Sequence, residues 1–244
     1  MKRVLLKISG DALKGSKEFG YSKDTLLQTA KEIYKLQQRG LEVAVVVGGG
    51  NMFRGVAGSK ETGIKRVNSD YMGMLATIMN AIALADVLEF IGAKSRVLSS
   101  FPLTPVAEPY SFKRANHLLS KGSIVVFGGG TGNPYFTTDT ASVLRASEIG
   151  ADLLLKGTKV DGIYDKDPMK HDDAVMYKKL SYDEAIEKEL KVMDLTAFAL
   201  ASNNSIKIRV YNMLKENALF DAIDGIEGTL VTDVIWYFKK NNKK

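Results

Sequence analysis

The stretch Glu42-Val43-Ala44-Val45-Val46-Val47-Gly48-Gly49-Gly50 decides the reading of the fold. Five apolar residues follow one another without alternation. A strand with one wet face would alternate; a strand buried on both faces of a parallel sheet would not. The three glycines then end the strand and expose bare backbone. Working outward, residues 23–38 carry Leu26, Leu27, Ala30, Ile33, Tyr34 and Leu36, spaced as one face of a helix, and Gly40 stops it. Further short β-branched runs lie at 3–8, 94–98, 123–127, 151–155, 206–211 and 229–231. Helical patterns lie between them at 69–91, 112–120, 138–149, 182–189, 194–203 and 214–222. This alternation predicts an α/β protein, a three-layer α/β/α sandwich with a mainly parallel central sheet. No repeat or Pro-rich linker divides the chain. Residues 1–244 are therefore expected to form a single domain, with 232–244 as a basic C-terminal extension.

Composition narrows the chemistry. The 244 residues include no Cys and two His, which removes thiolate metal sites and Cys nucleophiles and leaves few partners for a His-based triad. Catalysis is pushed toward Lys, Arg, Asp and backbone amides. Lys and Arg total 34 against 28 Asp and Glu, a net charge of +6. Lys239, Lys240, Lys243 and Lys244 supply most of that excess, which reads as a solvated tail. Neither a nucleic-acid partner nor a membrane is expected. Lys7 interrupts the apolar run at the start, so no secretory signal is read there, and Asn80 and Asp86 break the most apolar helix. The location expected is cytoplasmic.

Glycines gather after the strands. Gly10 follows the first, Gly48 to Gly50 the second, Gly128 to Gly130 with Gly132 the fourth, and Gly157 and Gly162 flank the loop after the fifth. In an open α/β sheet ligands bind outside the carboxyl ends of the strands. A rim of exposed N–H groups and helix starts there favours phosphates. Lys7 ends the first strand and points at the rim, and Arg54 and Lys159 stand in these loops with Asp70, Asp139, Asp161, Asp167 and Asp194. For any single one, a surface salt bridge is the plain alternative. No G-x-x-x-x-G-K-[ST] segment is present, and the glycines do not fit a dinucleotide fingerprint.

Six segments together resemble the bacterial uridylate kinases of the amino-acid kinase superfamily: KISG at 7–10, GGGNMFRG at 48–55, DYMGMLAT at 70–77, TGNPYFTTD at 131–139, TKVDGIYDKDP at 158–168 and LKVMD at 190–194. The resemblance implies transfer of the ATP γ-phosphoryl group to UMP in pyrimidine nucleotide biosynthesis. It implies that Lys7, Ile8, Ser9, Gly10, Gly50, Arg54, Thr158, Tyr164 and Asp167 bind ATP. It assigns UMP to Gly49, Asp70, Thr131, Gly132, Asn133, Pro134, Tyr135, Phe136, Thr137 and Thr138. Lys7, Lys159, Asp139 and Asp194 are the implied catalytic group, with Asp139 holding both lysines. Mg²⁺ is expected to travel with ATP, helped by Asp139 or Asp194, with no tight protein site. The family pattern also implies a homo-oligomer, a hexamer, activated by GTP through Gly15, Ser16, Lys17, Glu18, Phe19 and Gly20 and inhibited by UTP. Asp11, Ser69, Gly129 and Gly157 depart from the family's usual residues, and none of them is a proposed catalytic group. Two alternatives stay open: another kinase of the same superfamily, or a non-catalytic nucleotide sensor.

Overall fold

The protein is described here from a computed structural model covering residues 1–53, 63–190 and 192–233. Eleven strands and eight helices are present among these residues. In chain order they are β1 (Arg3–Ile8), α1 (Gly10–Leu13), α2 (Lys23–Gln38), β2 (Glu42–Val47), α3 (Arg66–Phe90), β3 (Ser95–Ser99), β4 (Glu108–Pro109), α4 (Phe112–Ser120), β5 (Ile124–Gly128), α5 (Thr138–Ile149), β6 (Leu153–Thr158), β7 (Ile163–Tyr164), β8 (Met176–Tyr177), β9 (Lys179–Leu180), α6 (Tyr182–Glu187), α7 (Leu195–Asn203), β10 (Ile208–Asn212), α8 (Ala218–Asp224) and β11 (Thr229–Val231).

Nine strands form one sheet in the order β4-β3-β5-β2-β1-β6-β10-β11-β9. Every adjacent pair is parallel except β10 and β11. The central strands are sealed on both faces, which is why their sequences run apolar without alternation. One face packs Leu5, Val46, Val125 and Leu154 beneath α4, α5, α6 and α7. The other packs Leu6, Val45, Val126 and Leu155 against α1, α2, α3 and α8. The three layers expected from the alternation are present. The small β7–β8 hairpin, the single turn α1 and the two-residue strands β4 and β9 went unread, because two to four residues carry no usable period.

Helix α3 starts three residues before the expected Ser69, since Arg66 pairs with Asp70 one turn on at 2.8 Å. It is long and apolar enough to meet the length and composition test for a membrane span, and half of its most apolar window is buried inside the protein. Asn80 in its middle is fully buried and donates to the Gly48 carbonyl at 2.6 Å. Those contacts mark it as a core helix.

The connections matter for the site. After β1 and β2 the chain crosses on one face; after β5 it crosses on the other, and α5 lies over β1, β2 and β6. The glycine-rich loops after β1, β2, β5 and β6 therefore meet at one rim, with the start of α5 above them.

Candidate active site

Lys7 and Lys156 occupy the same level of the sheet. They are partners in the β1–β6 register, and paired residues on neighbouring strands project to the same face. That face is the one under α5. Asp139, in the first turn of α5, receives both. The Lys7 ammonium lies 2.8 Å from Asp139 Oδ1, and the Lys156 ammonium donates to Oδ2. Lys156 also donates to the Val192 carbonyl. The side chains are 12%, 8% and 16% exposed for Lys7, Lys156 and Asp139, so little water screens them. Burial alone would raise the Asp139 carboxyl. The two ammonium groups, Lys7 first, outweigh burial and hold it below the ordinary carboxylate range. Burial pushes Lys156 down to about 8, against the pull of Asp139.

Lys159 is the second lysine expected on Asp139. The structure puts Lys159 past the end of β6, where it is exposed. Lys156, inside the strand, takes its place on Asp139. The signal that would have found it is a lone Lys closing the apolar run Leu153-Leu154-Leu155, the same pattern that singles out Lys7.

The loops pack backbone on backbone. A Cβ on Gly10 would sit 2.6 Å from the Gly48 carbonyl and 2.7 Å from the Gly50 nitrogen. Ile8 and Ser9 lead into that contact, and Ser9 occupies the N-cap position of α1. Gly49 presses on α3, where a Cβ would meet Gly73 O at 2.9 Å. Asn51 is buried and trades hydrogen bonds with Asn80 across the loop. It also donates to Gly20 O, and its carbonyl accepts from Gly20 N–H at 3.0 Å. That ties the segment Gly15, Ser16, Lys17, Glu18, Phe19 and Gly20 to the phosphate rim. Within the segment Phe19 is exposed and Lys17 donates to Tyr21 O.

A cavity of about 210 Å³ opens beside Lys7's rim, lined by Gly49, Asp70, Gly130, Phe136, Thr137 and Thr138 among others. Asp70 accepts the Tyr135 N–H at 2.8 Å while holding Arg66. Tyr135 has φ 72°, a left-handed conformation costly for a side chain of its size, and this bond helps to hold it. Thr131 and Asn133 close their own turn, Gly132 N–H donates to Gly129 O, and Pro134 is half-buried beside them. Thr137 caps α5 by accepting from Asp139 N–H and Thr140 N–H. Its hydroxyl donates to Asp194. Asp194 in turn accepts from Thr140 and from the Ala197 N–H at 2.9 Å, capping α7.

A second cavity, about 520 Å³, is lined by Thr158, Tyr164, Asp167, Leu190 and Val192 among others. The Thr158 hydroxyl donates to Val160 O at 2.7 Å and turns the chain at the end of β6. Burial, then Asp161, raises the Tyr164 phenol, which stays neutral and suited to stacking. Arg54 lies outside the described residues, as do residues 234–244 of the basic extension.

Among the described residues, no three His, Cys, Asp or Glu side chains gather as a metal site. Asp139 does not fit as a ligand, because a cation there would stand against two ammonium groups. Asp194 accepts from two hydroxyls and one N–H and, among the described residues, has no ammonium bonded to it, so of the two acids it is the one that does not stand against a cation.

The larger cavity is walled by Val192, whose carbonyl Lys156 holds, and the smaller by Thr137 and Thr138, next to Asp139. Paired lysines on one acid beside two such cavities and a glycine rim are the arrangement of a phosphate-handling α/β protein of the kinase type. The amino acid kinase family profile matches residues 2–212. The uridylate kinase of Xanthomonas campestris pv. campestris is 51% identical over 231 residues, covering 94% of this chain and 96% of that one. The uridylate kinase of Sulfurovum sp. is also 51% identical, over 92% and 95%. Among solved structures, UMP kinase from Bacillus anthracis superposes with a TM-score of 0.92 at 39% identity over 96% of each chain. UMP kinase from Ureaplasma parvum gives 0.90 at 35%, over 95% and 98%. The chain belongs to the amino acid kinase family, in its uridylate kinase branch.

Proposed function

We propose that this chain transfers the γ-phosphoryl group of ATP to UMP, giving UDP and ADP. The observation that carries the reading is the Lys7–Asp139–Lys156 cluster set between a larger and a smaller cavity on one glycine-lined rim. ATP enters the larger cavity with its base near Tyr164, its ribose near Asp167 and Thr158, and its phosphates over Lys7, Ser9, Gly10 and Gly50. UMP enters the smaller one, between Gly49, Asp70 and the loop from Thr131 to Thr138.

The acceptor is a UMP phosphate oxygen, already anionic at neutral pH, so no general base is required. Its lone pair forms the new P–O bond to the γ-phosphorus as the bond from that phosphorus to the β,γ-bridging oxygen breaks. The bridging oxygen leaves with ADP. The work of the protein is positioning and charge stabilisation. Lys7 supplies positive charge to the transferring group, Asp139 fixes its direction, and Lys159, exposed past the end of β6, adds a further cation at the rim. Thr138 offers its hydroxyl, and the first N–H groups of α5 are offered beside it, where the helix dipole favours an anion. The Thr137 hydroxyl is spent on Asp194 and holds this helix start in place. Asp194 is the acid that would help to hold Mg²⁺ carried on ATP, which would supply neutralising charge to the phosphates.

We place the enzyme in the cytoplasm, where both nucleotides are found, and as a hexamer responding to GTP and UTP. The link from Gly20 to Asn51 and the phosphate rim supports a regulatory role for residues 15–20. Exposed Tyr71, Met72, Leu75 and Met79 on α3 support a subunit contact.

The test is turnover with ATP and Mg²⁺ against UMP, CMP, dUMP, acetylglutamate and aspartate. UDP formation with UMP preferred is the expected result. Preferred phosphorylation of an amino-acid carboxylate, or nucleotide binding with no turnover, overturns the reading.

A further inference from the structure

Lys156 belongs to none of the segments that point to phosphate binding, yet its side chain is less exposed than that of Lys7 or Asp139. A buried ammonium in the middle of a parallel sheet is costly unless acceptors replace the water it has lost. Two bonds are in place here. One goes to Asp139 on α5, the other to the carbonyl of Val192. Val192 lines the larger cavity and lies two residues before Asp194, which itself holds Thr137 and Thr140 of α5. Lys156 therefore joins three parts: the helix start above the phosphates, the wall of the nucleotide cavity, and the strand beside Lys7.

The charge count explains why an ammonium stands there. Asp139 with Lys7 alone would be a neutral pair, and the carboxylate would draw the Lys7 ammonium to itself. Asp139 with Lys7 and Lys156 keeps one net positive charge. The carboxylate is shared, so the Lys7 ammonium is bound less tightly on its Asp139 side and remains available to a phosphate oxygen.

We propose that Lys156 is a positioning residue for phosphoryl transfer: by sharing Asp139 with Lys7 and gripping the Val192 carbonyl, it sets the direction and the unspent charge of Lys7. This rests on the transfer reaction proposed above, so the test includes a readout that needs no turnover. Lys156→Met keeps the length and removes the charge. Its kcat is expected to fall about 100-fold, with both KM values within about threefold of wild type. Lys7, left as the sole cation on Asp139, is expected to be acylated more slowly by an amine-directed reagent, read by peptide mass spectrometry. Loss of a merely structural lysine would loosen the site and leave that rate unchanged or faster. A folded Lys156→Met variant with wild-type kcat, or with Lys7 acylated as fast as in wild type, overturns the proposal. If wild type makes no UDP, the proposed reaction fails, and the acylation rates alone decide the coupling of the lysines. If Lys156→Met does not fold, Lys156→Arg serves. It keeps the charge, so Lys7 should label at the wild-type rate. Its planar fork cannot repeat the ammonium's two bonds, so kcat should fall about tenfold; wild-type kcat in that variant overturns the positioning role.

Discussion

Lys7 and Lys156 face each other across the β1–β6 ladder, and each ammonium takes a different oxygen of the Asp139 carboxylate. Like charges so placed would repel and destabilise the sheet without the acid between them. The acid arrives on α5, from a different part of the chain, because the crossover after β5 passes over β1. That crossing makes an anion site out of a strand pair.

Lys7→Ala removes the cation nearest the transferring group and leaves Asp139 paired with Lys156. The protein is expected to fold, with its thermal melting midpoint little changed, and to lose about 100- to 1000-fold in kcat. Steady-state kinetics beside a thermal melt checks this. Near wild-type kcat would remove Lys7 from the reaction.

Asp70→Asn weakens two interactions at once, the bond from Tyr135 N–H and the Arg66 pair. A hydrogen bond to a charged acceptor contributes about 1.5–3 kcal/mol. The KM for UMP is therefore expected to rise by about 10-fold or more, while the KM for ATP stays put. Varying each substrate in turn reads this, and equal effects on both would contradict the separation of the two cavities.

Gly10→Ala forces a methyl into a space 2.6 Å from Gly48 O. The two loops must part, at a cost of about 1–3 kcal/mol for overpacking. A lower melting temperature and a weaker apparent affinity for ATP are expected together. An unperturbed Gly10→Ala variant would mean that the loops are not locked to each other.

The Asp139 carboxyl, held below its ordinary value of 3.8, binds its proton less readily folded than unfolded. Its stabilising contribution is complete above that ordinary value and is lost as the pH falls through the lower folded value. Asp139→Asn should flatten this part of the acid-unfolding profile, besides lowering kcat. Urea melts at pH steps between about 5 and 2 measure it. Identical slopes in wild type and variant would exclude Asp139 as an acid-labile support.

Much of the site was legible because its parts are local. A glycine triplet after an apolar run marks a strand end with bare amides, whatever surrounds it. Thr137 and Asp194 stand at the starts of two helical patterns, and the structure makes them the N-caps of α5 and α7. Lys7 announced itself as a charge inside a buried strand. Lys156 carries the same mark inside β6, whereas Lys159, the expected partner of Asp139, lies in the loop beyond it. The bonds of Asp194 to Thr137 and Thr140 and the trade between Asn51 and Asn80 carry no local mark, since each joins elements far apart in the chain.

The amino-acid sequence by itself determined the layers, the parallel sheet, the glycine rim and the kind of ligand that rim favours. These follow from burial periodicity and from backbone left bare at strand ends, which are properties of a few consecutive residues. Only the tertiary structure decided which lysine Asp139 holds. That choice depends on strand order and register: β6 lies beside β1, and Lys156 stands level with Lys7 while Lys159 lies beyond the last rung.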